Sequence, residues 1–299
     1  MGLSIISWCT RTTNVVIGCS RPPAVTRAGL KIMRDLGIPV AAKWCKPNSS
    51  PECLYCYAEH NDHFRFHRSP HVWVEQYASL NVRLRPEKMR EFHTVPVKPV
   101  DLPPSQRERF FVCSYGDIFH ELVPDSFLKE LFAAMVATPH IYMLLTKRPE
   151  RAAQWPGPWP ENIWLGTTCG HEITKWRIEF LRRSAAKVRF ISMEPLLTPM
   201  LPLNLEGIDQ VIVGGESGGK RRPFEMEWAR QVRDACVDHG SAFFFKQDSD
   251  FRTERRPYLV EQDGTCWKYE QYPGELAPPV LVQAENDARH RELFPILAQ

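Results

Sequence analysis

Residues 110–148 read FFVCSYGDIFHELVPDSFLKELFAAMVATPHIYMLLTKR. The stretch opens with an apolar run at 110–113, continues through an amphipathic segment at 125–138 and ends in a second apolar run at 141–145. Short apolar runs on either side of a helical pattern predict two buried strands joined by a helix. Strands connected in this way lie parallel in one sheet, because the crossover is right-handed and packs back onto that sheet.

The same alternation continues along the chain. Further apolar runs stand at 163–165, 188–191, 211–213 and 242–245, with helix-like segments at 173–184 and 225–239. On the N-terminal side, residues 13–19 form a β-branched run that stops at Gly18-Cys19, as a strand entering a loop does. About seven βα units therefore fit, and we predict an α/β fold with a partial or closed parallel β/α barrel of the TIM type. A doubly wound open sheet is the structural alternative.

The chain between the first and second strands is less regular. Residues 26–37 have apolar residues at helical spacing and a glycine stop, residues 73–84 predict another helix, and residues 95–104 predict a proline-rich linker. We divide the chain into a barrel over residues 1–250, with an inserted segment around 20–52, and a C-terminal extension over 251–299 that packs on the barrel.

Composition narrows the class of protein. The 299 residues are 43% hydrophobic, which is enough for a large core, and the net charge of +3 is too small to indicate nucleic-acid binding by itself. No apolar run nears the roughly 20 residues that span a bilayer, and the N-terminus has no signal-peptide pattern. The odd number of cysteines favours a reducing compartment over a disulfide framework, so we expect a cytoplasmic protein that does not enter the membrane.

Polar residues follow the predicted strands. In parallel α/β sheets the carboxyl ends of the strands converge on the ligand site, and polar groups buried there must be paired or used. We therefore predict a polar pocket, although any single Ser or Thr could instead be a helix N-cap. The residues at these positions are Cys19; Ser114, Gly116 and Asp117; Thr146, Lys147 and Arg148; Thr167 and Thr168; Ser192 and Glu194; Gly214, Gly215, Glu216 and Ser217; and Lys246 and Gln247.

A group of cysteines lies at the end of the inserted segment and just after it. Cys53 and Cys56 are two residues apart, which places both thiols on one side of a turn, and Cys45 lies a short loop upstream. Three such thiols can hold a metal or an iron–sulfur cluster. Two residues compete for the third position, because Cys45 is favoured by its short loop and Cys19 by its place at a strand end. Three cysteines in apolar surroundings are expected to pack in the core, namely Cys113, Cys169 and Cys236.

Several segments together carry a resemblance to a known family. They are Asn14-x-Val16-x-Gly18-Cys19, Cys53-Leu54-Tyr55-Cys56-Tyr57-Ala58-Glu59, and residues 111–121, 144–151, 164–166, 192–197, 211–218 and 243–247. These segments resemble the phage-derived three-Cys-motif family, radical-SAM-like proteins of phages and bacterial mobile elements, over most of residues 8–250. The cysteine module is also similar to that of the spore photoproduct lyase branch of radical SAM enzymes, with Tyr55 at the aromatic position.

The resemblance implies a fold and a chemistry. It implies a barrel of the radical SAM type in which three thiolates hold a [4Fe–4S] cluster and leave one iron for S-adenosyl-L-methionine. An electron donor then allows a 5′-deoxyadenosyl radical to form and to modify or repair a substrate, for which a nucleic acid or nucleotide is the first candidate class. Four strand-end residues are candidate catalytic groups, Lys147, Glu194, Glu216 and Lys246. The candidate cofactor-binding residues are Tyr55, Ser114, Asp117, Thr146, Gly214, Gly215 and Ser217, and the candidate metal ligands are Cys19, Cys45, Cys53 and Cys56.

Two other functions fit the same residues. Four bound thiolates would leave no open iron, so a closed cluster or a zinc site would imply a non-catalytic protein that acts with a partner protein encoded nearby. A nucleic-acid module without cluster chemistry is the third hypothesis. Separately, residues 60–71 interleave histidine, arginine and aromatic residues, and we interpret them as a basic surface just after the cysteines that could face a substrate.

Some assignments have an ordinary structural alternative. Asp117, His120 and Glu121 could be metal ligands, but a histidine beside a helix start is more often a cap or a core contact. Lys147, Arg148 and Lys246 could bind a phosphate or carboxylate, or could pair with Glu194 or Glu216. The Gly214-Gly215-Glu216 sequence allows close backbone approach to a ligand, or forms only a tight turn from strand to helix.

Overall fold

A computed structural model describes residues 6–37 and 50–283 of the chain. Its strands are β1 (Arg11–Thr13), β2 (Val16–Ile17), β3 (Arg83–Leu84), β4 (Arg109–Val112), β5 (Ile141–Thr146), β6 (Ile163–Thr168), β7 (Val188–Met193), β8 (Gln210–Gly214), β9 (Ala242–Gln247), β10 (Leu259–Val260), β11 (Cys266–Lys268) and β12 (Val280–Val282). Its α-helices are α1 (Arg27–Asp35), α2 (Tyr57–Glu59), α3 (Ala78–Asn81), α4 (Glu91–Thr94), α5 (Asp125–Val136), α6 (Pro149–Gln154), α7 (Trp176–Arg183) and α8 (Met226–His239).

One seven-stranded sheet forms the body of the protein. Its order is β1-β4-β5-β6-β7-β8-β9, and all neighbours in it are parallel. Each new strand adds to the same side of the last, so the sheet curls into a half-barrel and does not reverse as a doubly wound sheet would. The predicted partial β/α barrel is therefore confirmed.

The two faces of the sheet bury different residues. Side chains alternate along a strand, so Phe110 and Val112 of β4 pack with the helices while Phe111, between them, faces the inside of the curl. Met143, Trp164, Phe190, Ile212 and Phe244 join Phe111 in that inner cluster. A Cβ on Gly166 would lie 2.4 Å from the Phe190 ring, so glycine is needed there to let the phenylalanine fill the interior.

The N-terminal part differs from its prediction at two places. The strand predicted over residues 13–19 is wrong in its bounds, because β1 ends at Thr13 and β2 leaves the main sheet to pair antiparallel with β3. Between them, Asn14 accepts a hydrogen bond from the backbone N–H of Tyr115 (2.8 Å), which ties the chain to the end of β4. The helix predicted over residues 73–84 is confined to a short helical turn and α3, since the buried Asn81 side chain donates to Val72 O (3.0 Å) and β3 follows at once.

Other predicted elements are present near their expected positions. Helix α1 begins after Thr26, whose hydroxyl accepts from Gly29 N (3.0 Å), and α8 ends at Gly240, which has a φ of +68°. The strands after 110 each begin within one residue of their predicted starts. Cys113, Cys169 and Cys236 are buried as expected.

The residues after β9 cover one edge of the sheet. Segment 269–271 pairs with β9, since Phe245 N donates to Tyr269 O (3.0 Å) and Gln271 N donates to Phe243 O (3.2 Å). The Tyr269 ring packs on Phe243, and β10, β11 and β12 form a small antiparallel sheet beside α8. This extension removes the open edge that β9 would otherwise present. Within the described ranges, no helix combines the length and the apolar character that a membrane crossing requires.

Candidate functional site

A cavity of about 230 Å³ opens at the carboxyl ends of the half-barrel strands. Most of the polar positions predicted from the strand ends line it. Thr167 does not, because its hydroxyl donates to Thr146 O (2.9 Å), and Gly214 lies just behind the wall. The predicted site residues that line the cavity are Cys19, Cys53, Tyr55, Cys56, Ser114, Asp117, Thr146, Lys147, Glu194, Gly215, Glu216, Ser217 and Lys246.

Four free thiols line the cavity, namely those of Cys19, Cys53, Cys56 and Cys113, and the Cys113 sulfur accepts a hydrogen bond from Val16 N (3.3 Å). Cys53 is buried, whereas Cys19 and Cys56 are half-buried. Burial raises the pKa of the Cys19 thiol to about 11, although the positive charge of Arg148 opposes the shift. Burial likewise raises the pKa of the Cys53 thiol to about 11, although the positive charge of Lys147 opposes it. The thiols are therefore neutral near pH 7, and a positively charged ligand would be needed to hold them as thiolates. Cys45 lies outside the described residues.

The arrangement of the candidate ligands bears on the predicted single-ion sites. Among residues 6–37 and 50–283, no group of three or more His, Cys, Asp or Glu side chains is arranged to hold a single metal ion. The alternative metal site of Asp117, His120 and Glu121 is therefore not formed. A cluster differs from a single ion, because each sulfur binds a different iron and the sulfurs stand further apart.

A buried ion pair supports the loop that carries Cys53. Glu52 Oε1 accepts hydrogen bonds from Gly170 N (3.1 Å) and from the Thr174 hydroxyl (2.7 Å), and its Oε2 is 3.7 Å from Arg177 Nη1. Arg177 donates in turn to Thr168 O (2.8 Å) and to the Ser50 hydroxyl (2.8 Å). Burial alone would raise the pKa of Glu52, but Arg177 and the hydrogen bonds hold it below its ordinary value. The pair joins the cysteine loop to β6 and α7.

The turn after β8 also supports the cysteine loop. A Cβ on Gly215 would lie 2.4 Å from Ser249 N, so this position needs glycine for close backbone approach. Glu216 accepts from Arg222 Nε (2.9 Å) and Nη2 (2.7 Å), and Arg222 Nη1 donates to Pro51 O (2.9 Å). The same guanidinium lies 5.5 Å from the centre of the Tyr55 ring. Both Glu216 oxygens are thus engaged, and the carboxylate acts on the loop through Arg222.

Asp117 organises the end of β5. It accepts from the Thr146 hydroxyl (2.8 Å to Oδ1 and 2.9 Å to Oδ2) and from Lys147 N (3.0 Å). Arg148, next along, donates to both Glu121 oxygens (2.9 and 2.8 Å), to Ser20 O (2.7 Å) and to Cys19 Sγ (3.4 Å). These contacts use Asp117, Thr146 and Arg148 to shape the wall beside Cys19.

His120 is a buried contact of the same wall. Its Nε2 lies 3.2 Å from Ser20 N and 3.0 Å from the Ser20 hydroxyl, and its Nδ1 accepts from Leu122 N (3.1 Å). The ring is therefore held within the fold by its neighbours, as the structural alternative expected.

Lys147 differs from the other cations of the cavity. Arg21, Arg148 and Lys246 each pair with a carboxylate, but within the described residues Lys147 has no ion-pair partner. Burial would lower its pKa, yet the negative charges that Cys53 and Cys56 carry when ionised, together with Glu52, raise it above the ordinary value. Lys147 is therefore a buried cation beside Cys53 and Cys56, which together with Cys19 we call the thiol face.

Lys246 and Glu194 form a second charged group in the cavity. Lys246 Nζ lies 2.9 Å from Glu194 Oε1, and Glu194 Oε2 accepts from Trp8 Nε1 (2.8 Å). Burial would lower the pKa of Lys246, but Glu194 and Glu254 raise it above its ordinary value. The Thr168 hydroxyl is buried in the cavity wall and has no hydrogen-bond partner among the described residues.

Five residues that matter here were not assigned from the sequence. They are Trp8, Glu52, Tyr57, Arg177 and Arg222. Trp8, Glu52 and Tyr57 line the cavity, and the Tyr57 hydroxyl donates to Ser114 O (2.7 Å). Glu52 offered one signal, since an acid directly before a cysteine in a buried loop needs a cationic partner. Arg222 and Trp8 reach the site only through contacts made across the fold.

Comparison with known proteins identifies the family alone. No curated protein and no solved structure matches the chain. One family model does match, and it covers residues 41–293 of the chain. The matched range includes Cys45, Cys53, Cys56 and the strands from β3 onward but not Cys19. Because this match spans most of the sequence, the chain belongs to the family described as proteins of unknown function, DUF5131.

Proposed function

We propose that the protein is a radical S-adenosylmethionine enzyme that binds a [4Fe–4S] cluster through Cys19, Cys53 and Cys56. One observation carries the proposal: Cys19 lines the same strand-end cavity as the distant pair of Cys53 and Cys56. Lys147, which has no ion-pair partner among the described residues, lines it too. When bound, the cluster and S-adenosyl-L-methionine supply one-electron cleavage of a sulfonium and a carbon-centred radical.

The residues of the cavity divide the remaining work. Lys147 offsets the negative charge of the thiolates, and Arg148 holds Cys19 by its contact to the sulfur. Glu194 and Lys246 are far from the cysteine loop in the sequence. They provide an anionic and a cationic group that a zwitterionic ligand can pair with. The rings of Tyr57 and Trp8 line the cavity and leave less room for water, which protects a reactive intermediate.

The wider setting of the enzyme follows from the same resemblance. We propose a nucleic acid or nucleotide as the substrate class, an external one-electron donor, and a partner protein encoded nearby in a phage or mobile element. A reducing cytoplasm suits the neutral thiols of Cys19, Cys53 and Cys56, which form no disulfide.

Anaerobic reconstitution with iron and sulfide tests the proposal. We expect a brown protein with about four irons per chain that, once reduced, converts S-adenosyl-L-methionine to 5′-deoxyadenosine. Cys19→Ala, Cys53→Ala and Cys56→Ala should each lose the cluster, whereas Cys45→Ala and the core control Cys236→Ala should keep it. A colourless protein with stoichiometric zinc would instead support the non-catalytic alternative. Loss of the cluster in Cys45→Ala but not in Cys19→Ala would move the third ligand to Cys45.

A further inference from the structure

Residues 54–68 connect the cavity with the outer surface, and we call them the rim segment. Tyr55 and Tyr57 line the cavity beside Cys56, and the chain then continues through α2 into a π-helical turn, His60–Arg65. The Tyr57 ring packs edge-on against Tyr115, whose hydroxyl accepts from Asn61 (3.1 Å). The rim segment is therefore anchored at its cavity end and leads outward from it.

The rim segment has the reverse of the usual burial pattern. Its large aromatic side chains are exposed, with Tyr57 at 51%, Phe64 at 54% and Phe66 at 44%. A surface helix normally turns such residues toward the core and its charges toward water. Large aromatic groups gathered at the surface indicate an interaction site.

The acidic residues of the segment are the ones that face inward. Glu59 is buried, pairs with Arg21 (Nε to Oε2, 3.1 Å) and accepts from Trp73 N (2.8 Å). Asp62 is buried and pairs with Arg83 at 2.7 Å. Both negative charges are thus neutralised inside the protein and do not offset the cations on the outer face.

The outer face combines these aromatic rings with cations. The guanidinium groups of Arg65 and Arg68 lie 5.2 and 4.7 Å from the centre of the Phe66 ring, and neither has an ion-pair partner among the described residues. His60 and His63 flank the Phe64 ring. The face therefore offers rings for stacking and cations for phosphate within one short stretch.

Single-stranded nucleic acid has the complementary chemistry. Its unpaired bases stack on exposed aromatic rings while its phosphates meet arginine, and the two occur at the spacing of successive nucleotides. A duplex hides its base faces, and an apolar protein surface would have to desolvate two guanidinium groups without pairing them. The continuity of the rim segment with the cavity would bring one nucleotide of a bound strand to Tyr57 and the thiol face.

We propose that the rim segment binds single-stranded nucleic acid and directs it into the cavity. The proposal rests on the proposed function for what happens in the cavity, and it deepens that function by narrowing the substrate class to single-stranded nucleic acid. Binding itself requires only the rim segment.

Fluorescence anisotropy with a labelled single-stranded oligonucleotide tests the inference on the full chain. The variant Phe64→Ala/Phe66→Ala should raise Kd by at least about 25-fold, because it removes two base–aromatic stacks and each stack lost weakens binding by about five- to a hundredfold. The variant Arg65→Ala/Arg68→Ala should lower the slope of log K against log salt by about 0.7 for each phosphate contact removed. Arg183→Ala is the matched control, since Arg183 is an exposed arginine stacked on Phe180 (5.5 Å) away from the cavity, and it should leave Kd unchanged.

The outcomes separate this inference from the proposed function. The substituted residues are exposed, so each variant should keep the thermal midpoint of the wild type. An unchanged midpoint verifies that the variant folds. Binding that persists in the cluster-free Cys53→Ala protein and is lost in Phe64→Ala/Phe66→Ala supports the inference even if no cluster forms. A reconstituted cluster with no binding of single strands overturns the inference and leaves the proposed function standing. Equal affinity for duplex, insensitivity to both rim variants, or binding to anionic vesicles in place of oligonucleotide also overturns it.

Discussion

Glu216 and Arg222 form a two-point ion pair, with Arg222 Nε and Nη2 donating to the two carboxylate oxygens at 2.9 and 2.7 Å. The remaining nitrogen of the guanidinium, Nη1, donates to Pro51 O (2.9 Å), two residues before Cys53. The turn after β8 thereby holds the loop that carries Cys53 and Cys56, two of the three proposed cluster ligands. Glu216 is a positioning residue in this arrangement.

Replacing Arg222 should loosen the cysteine loop. Arg222→Lys keeps the charge but loses the forked geometry, so we expect cluster affinity to fall by about tenfold, in the range for residues that orient metal ligands. Iron content after anaerobic reconstitution and gel filtration measures the change. Arg221→Lys, one residue earlier, is the control, and normal iron retention in Arg222→Lys would show that the loop stands without this contact.

Replacing Lys147 should weaken the binding of the cluster for an electrostatic reason. Lys147→Gln removes the cation that offsets the thiolates, and we expect about a ten- to hundredfold loss of cluster affinity together with a lower reduction potential. Lys147→Arg should retain more of both. Redox titration of the reconstituted protein measures the potential, with the exposed Lys220→Gln as control. An unchanged potential in Lys147→Gln would place the ammonium too far from the cluster to act on it.

The buried pair of Glu52 and Arg177 should matter for stability as well as for the site. Arg177→Met leaves the Glu52 carboxylate buried without its cation, which costs about 3–5 kcal/mol in the free energy of unfolding. The double variant Glu52→Gln/Arg177→Met should recover part of that loss. Urea unfolding measures both. The exposed pair of Lys187 and Glu161 is the control, and breaking it should change stability by less than about 1 kcal/mol. A small effect of Arg177→Met would contradict the supporting role.

Stability should decrease toward acid pH because of His140. Burial lowers the pKa of this histidine, although its ring lies 3.1 Å from Phe92 O, which opposes the shift. Below about pH 6.5 the unfolded chain takes up a proton that the folded chain does not, so the contribution is present above that pH and is lost as pH falls. The slope is at most about 1.4 kcal/mol per pH unit for one such group.

Urea unfolding between pH 7.5 and 5 measures this slope. His140→Gln keeps a side-chain donor but cannot take up the proton, so the stability of this variant should depend less steeply on pH. The exposed His93→Gln should follow the wild-type curve. An identical slope in His140→Gln and the wild type would assign the acid sensitivity to other groups, such as His120, whose pKa burial also lowers.

Much of the fold was predictable because its signals are local. Apolar runs and amphipathic helices repeat in the sequence, and the start of α1 at Thr26 and the end of α8 at Gly240 follow from capping chemistry. The residues after each strand were predicted to line a pocket for the same reason, since parallel strands bring their carboxyl ends to one edge. The break between β1 and β2 was not predictable, because it depends on the pairing of β2 with β3 far along the chain.

The sequence by itself therefore determined the βα units, the strand-end residues and the pair of Cys53 and Cys56. Only the tertiary structure decided that Cys19 joins them and that Trp8 and Arg222 reach the site. It also decided that Lys246 pairs with Glu194, whereas Lys147 has no ion-pair partner among the described residues. Trp8 and Glu194 are 186 positions apart, and Arg222 and Pro51 are 171 apart. Contacts at such separations depend on how the whole sheet curls, which no local pattern of residues encodes.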